Sequence, residues 1–145
     1  MSEFSGKVVI VTGSSSGIGE AIALRLGELG ASVVVNSANS VEAGKAVAAK
    51  IGANAIYVQA DISDKDAGQH LLDETIKNFG KLDILINNAG WTSLVAHHDL
   101  EALTDEIFQK TFAVNVWGTW ALTKAAMPLL KKSDNGNVIT ITSIA

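Results

Sequence analysis

The sequence predicts a single α/β domain, residues 1–145, built on a doubly wound parallel sheet. Three observations predict it. Short runs rich in β-branched residues recur along the chain. They alternate with segments whose apolar residues follow helical spacing. The first run leads directly into a glycine loop and then a helix, which is where such a sheet reverses direction.

The first strand is Val8 to Val11, four β-branched residues in a row, as expected of a strand buried on both faces. Gly13 allows a tight turn, Gly17 leaves room for a ligand against the backbone, and Gly19 lets the helix pack close. Ile18, Ile22, Leu26 and Leu29 form the apolar stripe of the first helix, and Gly30 stops it. The free N–H groups at that helix start carry about half a positive charge and suit an anion such as a pyrophosphate. The spacing is G-x-x-x-G-x-G. Taken alone, it also fits a glycine-rich turn that binds nothing.

The second strand is read over 31–35, ending in Asn36-Ser37-Ala38-Asn39. Ser40 is placed to cap a helix carrying Val41, Val47 and Ile51. The third strand is 55–58, with Asp61 beyond its end. Ser63 and Asp66 have the spacing of a capping box. The third helix shows Ala67, Leu71, Thr75 and Phe79, and Gly80 ends it. The fourth strand, 84–86, runs into Asn87-Asn88-Ala89-Gly90. Residues 91–100 read as a loop or short irregular helix. Thr104 opens one long helix through Phe108, Phe112, Val116 and Leu122, with Pro128 near its end. A turn at 133–136 leads to a fifth strand over 138–142. Right-handed crossovers then give the order 3-2-1-4-5. The first two helices cover one face of this sheet and the later ones the other.

Bulk properties exclude several classes. The sequence has no cysteine, which rules out disulfides, a thiol nucleophile and cysteine-ligated zinc. The net charge is −4 with scattered basic residues, which argues against nucleic acid. No apolar run is long enough to span a membrane, and no signal-peptide core is visible, so a cytoplasmic protein is expected. His97 and His98 read as solvated loop residues, and no metal site is expected. Trp117 and Trp120 read as packing or interface residues.

Five features, in order, resemble the short-chain dehydrogenase/reductase family. They are Thr12-Gly13-x-x-x-Gly17-x-Gly19, Asp61, Asn87-Asn88-Ala89-Gly90, Asn115 and Ser143. The general look is similar to its ketoacyl-carrier-protein reductase and glucose dehydrogenase branch. The resemblance implies a Rossmann-type fold and hydride exchange between NAD(P) and a small-molecule carbonyl or alcohol substrate. It implies a cofactor-binding set of Thr12, Gly13, Ser15, Ser16, Gly17, Ile18, Gly19, Asn36, Asp61, Ile62, Asn88, Ala89 and Gly90. Ser143 would hydrogen-bond the substrate, and Asn115 would hold a water in a proton relay. Each has a plainer reading. Asp61 caps a loop, Asn115 is a buried amide bonded to backbone, and Ser143 is a turn residue. The end of the second strand has no acid for ribose hydroxyls and no Arg or Lys for a 2′-phosphate, and the missing acid leans the reading toward NADP.

The family's acid/base tyrosine, with a lysine four positions on, follows the serine matching Ser143. The one tyrosine here is Tyr57, on the third strand, and Lys124 is on the wrong helix. Bringing a tyrosine from pKa ~10 to ~7 takes about 4 kcal/mol of phenolate stabilisation. The 145-residue chain is therefore expected not to reduce carbonyls by itself, and is read as incomplete relative to the family. Residues 84–86 and 138–141 are expected to lie bare, with the fifth strand an open edge. Self-association into a homodimer or larger homo-oligomer follows, through that strand, the bare faces or the Trp117–Trp120 helix. The alternatives to an enzyme part are a non-catalytic nucleotide-binding module and a structural, self-associating half-fold.

Overall fold

The structure, a computed structural model, describes residues 2–144. Five parallel strands lie in the order β3-β2-β1-β4-β5. They are β1 (Val8–Val11), β2 (Ser32–Ser37), β3 (Ala55–Gln59), β4 (Ile84–Asn87) and β5 (Asn137–Thr140). The helices are α1 (Gly17–Glu28), α2 (Val41–Ile51), α3 (Ala67–Phe79), α4 (Asp105–Phe112) and α5 (Thr119–Leu130). A single 3-10 turn, Leu100–Ala102, precedes α4.

Strand alternation divides the core in two. Val9, Val11, Val33, Val35 and Ile86 face α1 and α2. Ile10, Val34, Val58 and Leu85 face α3 and α5, with Leu71, Leu72, Leu122 and Leu130. β1 is the axis of both, and no residue in it exceeds 3% exposure. Each large side chain so buried contributes roughly 1.5–3 kcal/mol.

Several expectations are corrected. The long helix is interrupted: α4 passes into a π-helical turn, Ala113–Gly118, before α5. Along this rod Val114, Gly118, Leu122, Ala126 and Leu130 are buried, one every four residues. Ser63 and Asp66 form no capping box. Instead Asp61 Oδ1 accepts from Ser63 N at 3.0 Å and Ser63 Oγ at 2.7 Å, and Asp66 stands at the α3 N-cap without a side-chain bond. Ser40 occupies the α2 N-cap, but its side chain makes no capping bond. Ile18 is 64% exposed rather than part of the apolar stripe. β2 extends through Ser37. β5 ends at Thr140, although Ile141 N still donates to Asn87 O. Residues 84–86 are not bare: Ile86 pairs in register with Val11 and is seated in the α1–α2 cluster. Exposure falls on Ile139 and Ile141 instead.

At the N-terminal edge of the sheet Asp83 is buried and ties three strands. Its Oδ2 accepts from Val8 N and pairs with Lys81 Nζ, both at 2.9 Å, and its Oδ1 accepts from Ser133 Oγ. Its main chain bonds Val8 O and Asn137 N. Burial pushes the carboxyl up, but the bonds from Ser133, Val8 and Lys81 together outweigh it and hold the pKa below the usual carboxylate value.

Candidate functional site

A cleft of about 350 Å³ opens at the C-terminal ends of β1 to β4. Its walls come from Gly13, Ser15 and Ser16, the 36–40 segment, Ala60 to Ile62, Asn88 to Trp91, Lys110 and Val114. This is the position at which the strand order reverses, so two loops diverge and leave a crevice.

The two loops are bonded together by one buried threonine and one asparagine. Thr12 Oγ1 accepts from Asn88 N at 3.0 Å and Ala89 N at 2.9 Å. Asn88 Nδ2 donates to Thr12 O at 3.0 Å and Gly13 O at 3.1 Å. Gly13 has φ +61°, and a Cβ there would lie 2.8 Å from Ala89 Cα. A Cβ at Gly19 would collide with Asn88 Nδ2. Both positions therefore require glycine for a close approach, the first also for its backbone angle. The loop delivers the chain to the α1 N-terminus, whose first N–H groups have no intrahelical acceptor. Ser16, at the N-cap, has extended backbone, and its side chain is exposed along with Gly17 and Ile18 of the first helical turn.

Asn36 is 1% exposed and acts as a cross-brace. Its Oδ1 accepts from Gly13 N at 3.3 Å, and its Nδ2 donates to Val58 O and Ala60 O at 3.1 and 3.0 Å. The amide thus joins β1, β2 and β3 beneath the cleft. Beside it Ser37 Oγ and Tyr57 Oη share a hydrogen bond of 2.8 Å.

Of the residues singled out from the sequence, Gly13, Ser15, Ser16, Asn36, Asp61, Ile62, Asn88, Ala89 and Gly90 line this one cleft. Thr12 and Gly19 are buried supports of the loop beside it, while Gly17 and Ile18 are exposed and outside the cleft lining. Asn115 is exposed, which corrects the buried reading, but it is bonded to backbone. Its Oδ1 accepts from Trp91 N and its Nδ2 donates to Trp91 O, each at 2.8 Å. The π-helical turn presents the amide to that main chain. Ser143 follows β5 by three residues, outside the cleft lining. His97 and His98 are exposed in the 91–99 loop. Among the described residues no group of three or more His, Asp or Glu side chains is arranged to hold a metal.

Trp91, Lys110 and Val114 were not picked out for the cleft by sequence reasoning. The last two precede Asn115 on the same rod, and that proximity was the available signal. Asp61 closes a turn with Ser63, in line with the plainer reading given above, and it also borders the cleft.

Residues 7–145 match the family model for short chain dehydrogenase. The chain is 49% identical over 138 residues to the granaticin polyketide synthase putative ketoacyl reductase 2 of Streptomyces violaceoruber, covering 95% of this chain and 55% of that protein. It is 43% identical over 141 residues to versicolorin reductase 1 of Aspergillus parasiticus, covering 95% and 52%. It thus spans about half the length of the curated relatives it matches. Among solved structures, the 3-ketoacyl-(acyl-carrier-protein) reductase of Brucella melitensis complexed with NADH superposes with a TM-score of 0.90 at 33% identity, covering 96% of this chain and 57% of that one. A short chain dehydrogenase of Burkholderia cenocepacia in complex with NADP gives 0.88 at 38% identity, covering 97% and 57%.

Proposed function

The chain belongs to the short chain dehydrogenase family, and from that premise we propose that it supplies the dinucleotide-binding part of an NAD(P)-dependent oxidoreductase acting on a small carbonyl or alcohol. The observation that carries this is the glycine loop bonded through Thr12 and Asn88 to the β4 loop, with the α1 N-terminus at its end. That arrangement fits two linked phosphates: glycine allows close approach, and the helix start offers free N–H donors. When bound, a nicotinamide would exchange hydride with the substrate carbon. Thr12 and Asn88 hold the cradle in shape, Asp61 and Ile62 border the adenine side, and Gly90 lies beside the Asn115 amide.

The finer assignment favours NADP. Ser37, Ala38, Asn39 and Ser40 line the end of β2 and bring no carboxylate to repel a 2′-phosphate or to bond the ribose hydroxyls. The solved relatives, one with NADH and one with NADP, support a nicotinamide dinucleotide in either form.

Catalysis by these 145 residues alone is not expected. The one tyrosine hydroxyl, on Tyr57, is bonded to Ser37 on the α1–α2 side of the sheet, away from Ser143 beyond β5. Self-association is proposed through the strip Phe108, Phe112, Val116, Trp117 and Trp120, each about half exposed. Titration of the chain with NADH and NADPH, followed by nicotinamide fluorescence, tests the binding reading, and absence of any binding would refute it. Carbonyl-dependent oxidation of either cofactor above a Ser143→Ala control would overturn the expectation of inactivity.

A further inference from the structure

Two ionisable side chains line the cleft among the described residues, Asp61 and Lys110. The glycine loop itself carries no Arg or Lys. Apart from the α1 N-terminus, Lys110 is therefore the positive charge available to an anionic ligand there. Its Nζ stands 4.4 Å from the centroid of the Trp91 ring. That ring is a fixed surface: both main-chain groups of Trp91 are bonded to the Asn115 amide, and its side chain packs on the α3–α5 core. Lys110 lies on α4, five residues before Asn115 on the same rod. An ammonium resting on this half-buried ring is held less strongly than by a phosphate oxygen, which is the better partner for it.

On the reading that the cleft takes a dinucleotide, we infer that Lys110 is a ligand-binding residue whose ammonium turns from the Trp91 ring to a phosphate oxygen of the bound ligand. The phosphate is either the pyrophosphate, present in NADH and NADPH alike, or the 2′-phosphate, present in NADPH only. The fixed ring keeps the lysine over the cleft and reduces the ordering cost of the exchange.

The test is titration of the wild-type chain and the Lys110→Met, Lys110→Gln, Lys110→Arg and Lys124→Met variants with NADH and NADPH at two salt concentrations. Thermal unfolding of each variant is checked alongside, and the glutamine variant stands in should the methionine one fail to fold. Lys124 makes the same kind of contact, 4.9 Å over Trp120, outside the cleft lining, and so controls for general loss of charge. Lys110→Met should weaken binding about tenfold, less so at high salt, while Lys110→Arg stays near wild type and Lys124→Met is unchanged. Equal losses for both cofactors place the ammonium on the pyrophosphate, and a loss for NADPH alone places it on the 2′-phosphate. Either result supports the inference. Unchanged affinity in Lys110→Met and Lys110→Gln, or an equal loss in Lys124→Met, overturns it while the dinucleotide reading stands. A wild-type chain that binds neither cofactor overturns both.

Discussion

The two flanks of the sheet contrast. On one side of the axis, β1, β2 and β3 are sealed by α1 and α2 and cross-braced by Asn36. On the other, β5 pairs with β4 alone, and only Val138 of its four residues is even half-buried. The first flank holds most of the cleft lining. The second leads to Ser143. The difference shows that the cleft and the stretch carrying Ser143 rest on separately stabilised parts of the fold, the first far more self-sufficient than the second.

Substitutions can break this contrast. Ile10→Ala, at the fully buried axis, should cost about 2–5 kcal/mol in urea unfolding. Thr12→Val should cost about 1–3 kcal/mol, because it removes the acceptor for Asn88 N and Ala89 N. It should also weaken NADPH binding in the same titration, and a variant that unfolds early but binds normally would separate the loop bonding from the site.

Acid should act on the join between the flanks. The folded pKa of Asp83 is depressed, so its stabilisation is complete above the unfolded carboxylate pKa. It is lost as pH falls through the lower folded value. Thermal midpoints should therefore drop below about pH 4, and Asp83→Asn should flatten that part of the profile. The smallest effect on stability belongs to Ile139→Ala on β5, 43% exposed and expected to cost under about 1 kcal/mol. A cost matching that of Ile10→Ala would erase the contrast. Sedimentation of the same variant sharpens it, by showing whether β5 also serves as an association surface.

The strand order and most of the cleft were legible in the sequence, because β-branched runs, helical stripes and glycine spacing are local signals. What was hidden depended on register or on long-range contact. The burial of Ile86 follows from its pairing with Val11, 75 residues earlier in the chain. The staple at Asp83 gathers Val8, Lys81 and Ser133, which no periodicity connects. The capping-box spacing at Ser63 misled because Asp61 competes for the same groups. Asn115 was recognisable as an awkward mid-helix residue, but its partner, the main chain of Trp91, was not.

The π-helical turn has a consequence for chain length. Regular α-helix turns about 100° per residue, so an apolar row stepping by four drifts about 40° at each step. The row from Val114 to Leu130 nevertheless stays on the core, and its first step crosses the wide turn. Removing one residue between 113 and 118 would tighten the wide turn to ordinary α-helix, and the tightening would absorb the missing residue, so the helix beyond keeps nearly its present orientation. Leu122, Ala126 and Leu130 would stay on the core, and the change would fall on the residues inside the turn, Asn115 among them. A deletion inside the wide turn should therefore spare the core and instead cost the bonds between the Asn115 amide and the Trp91 main chain.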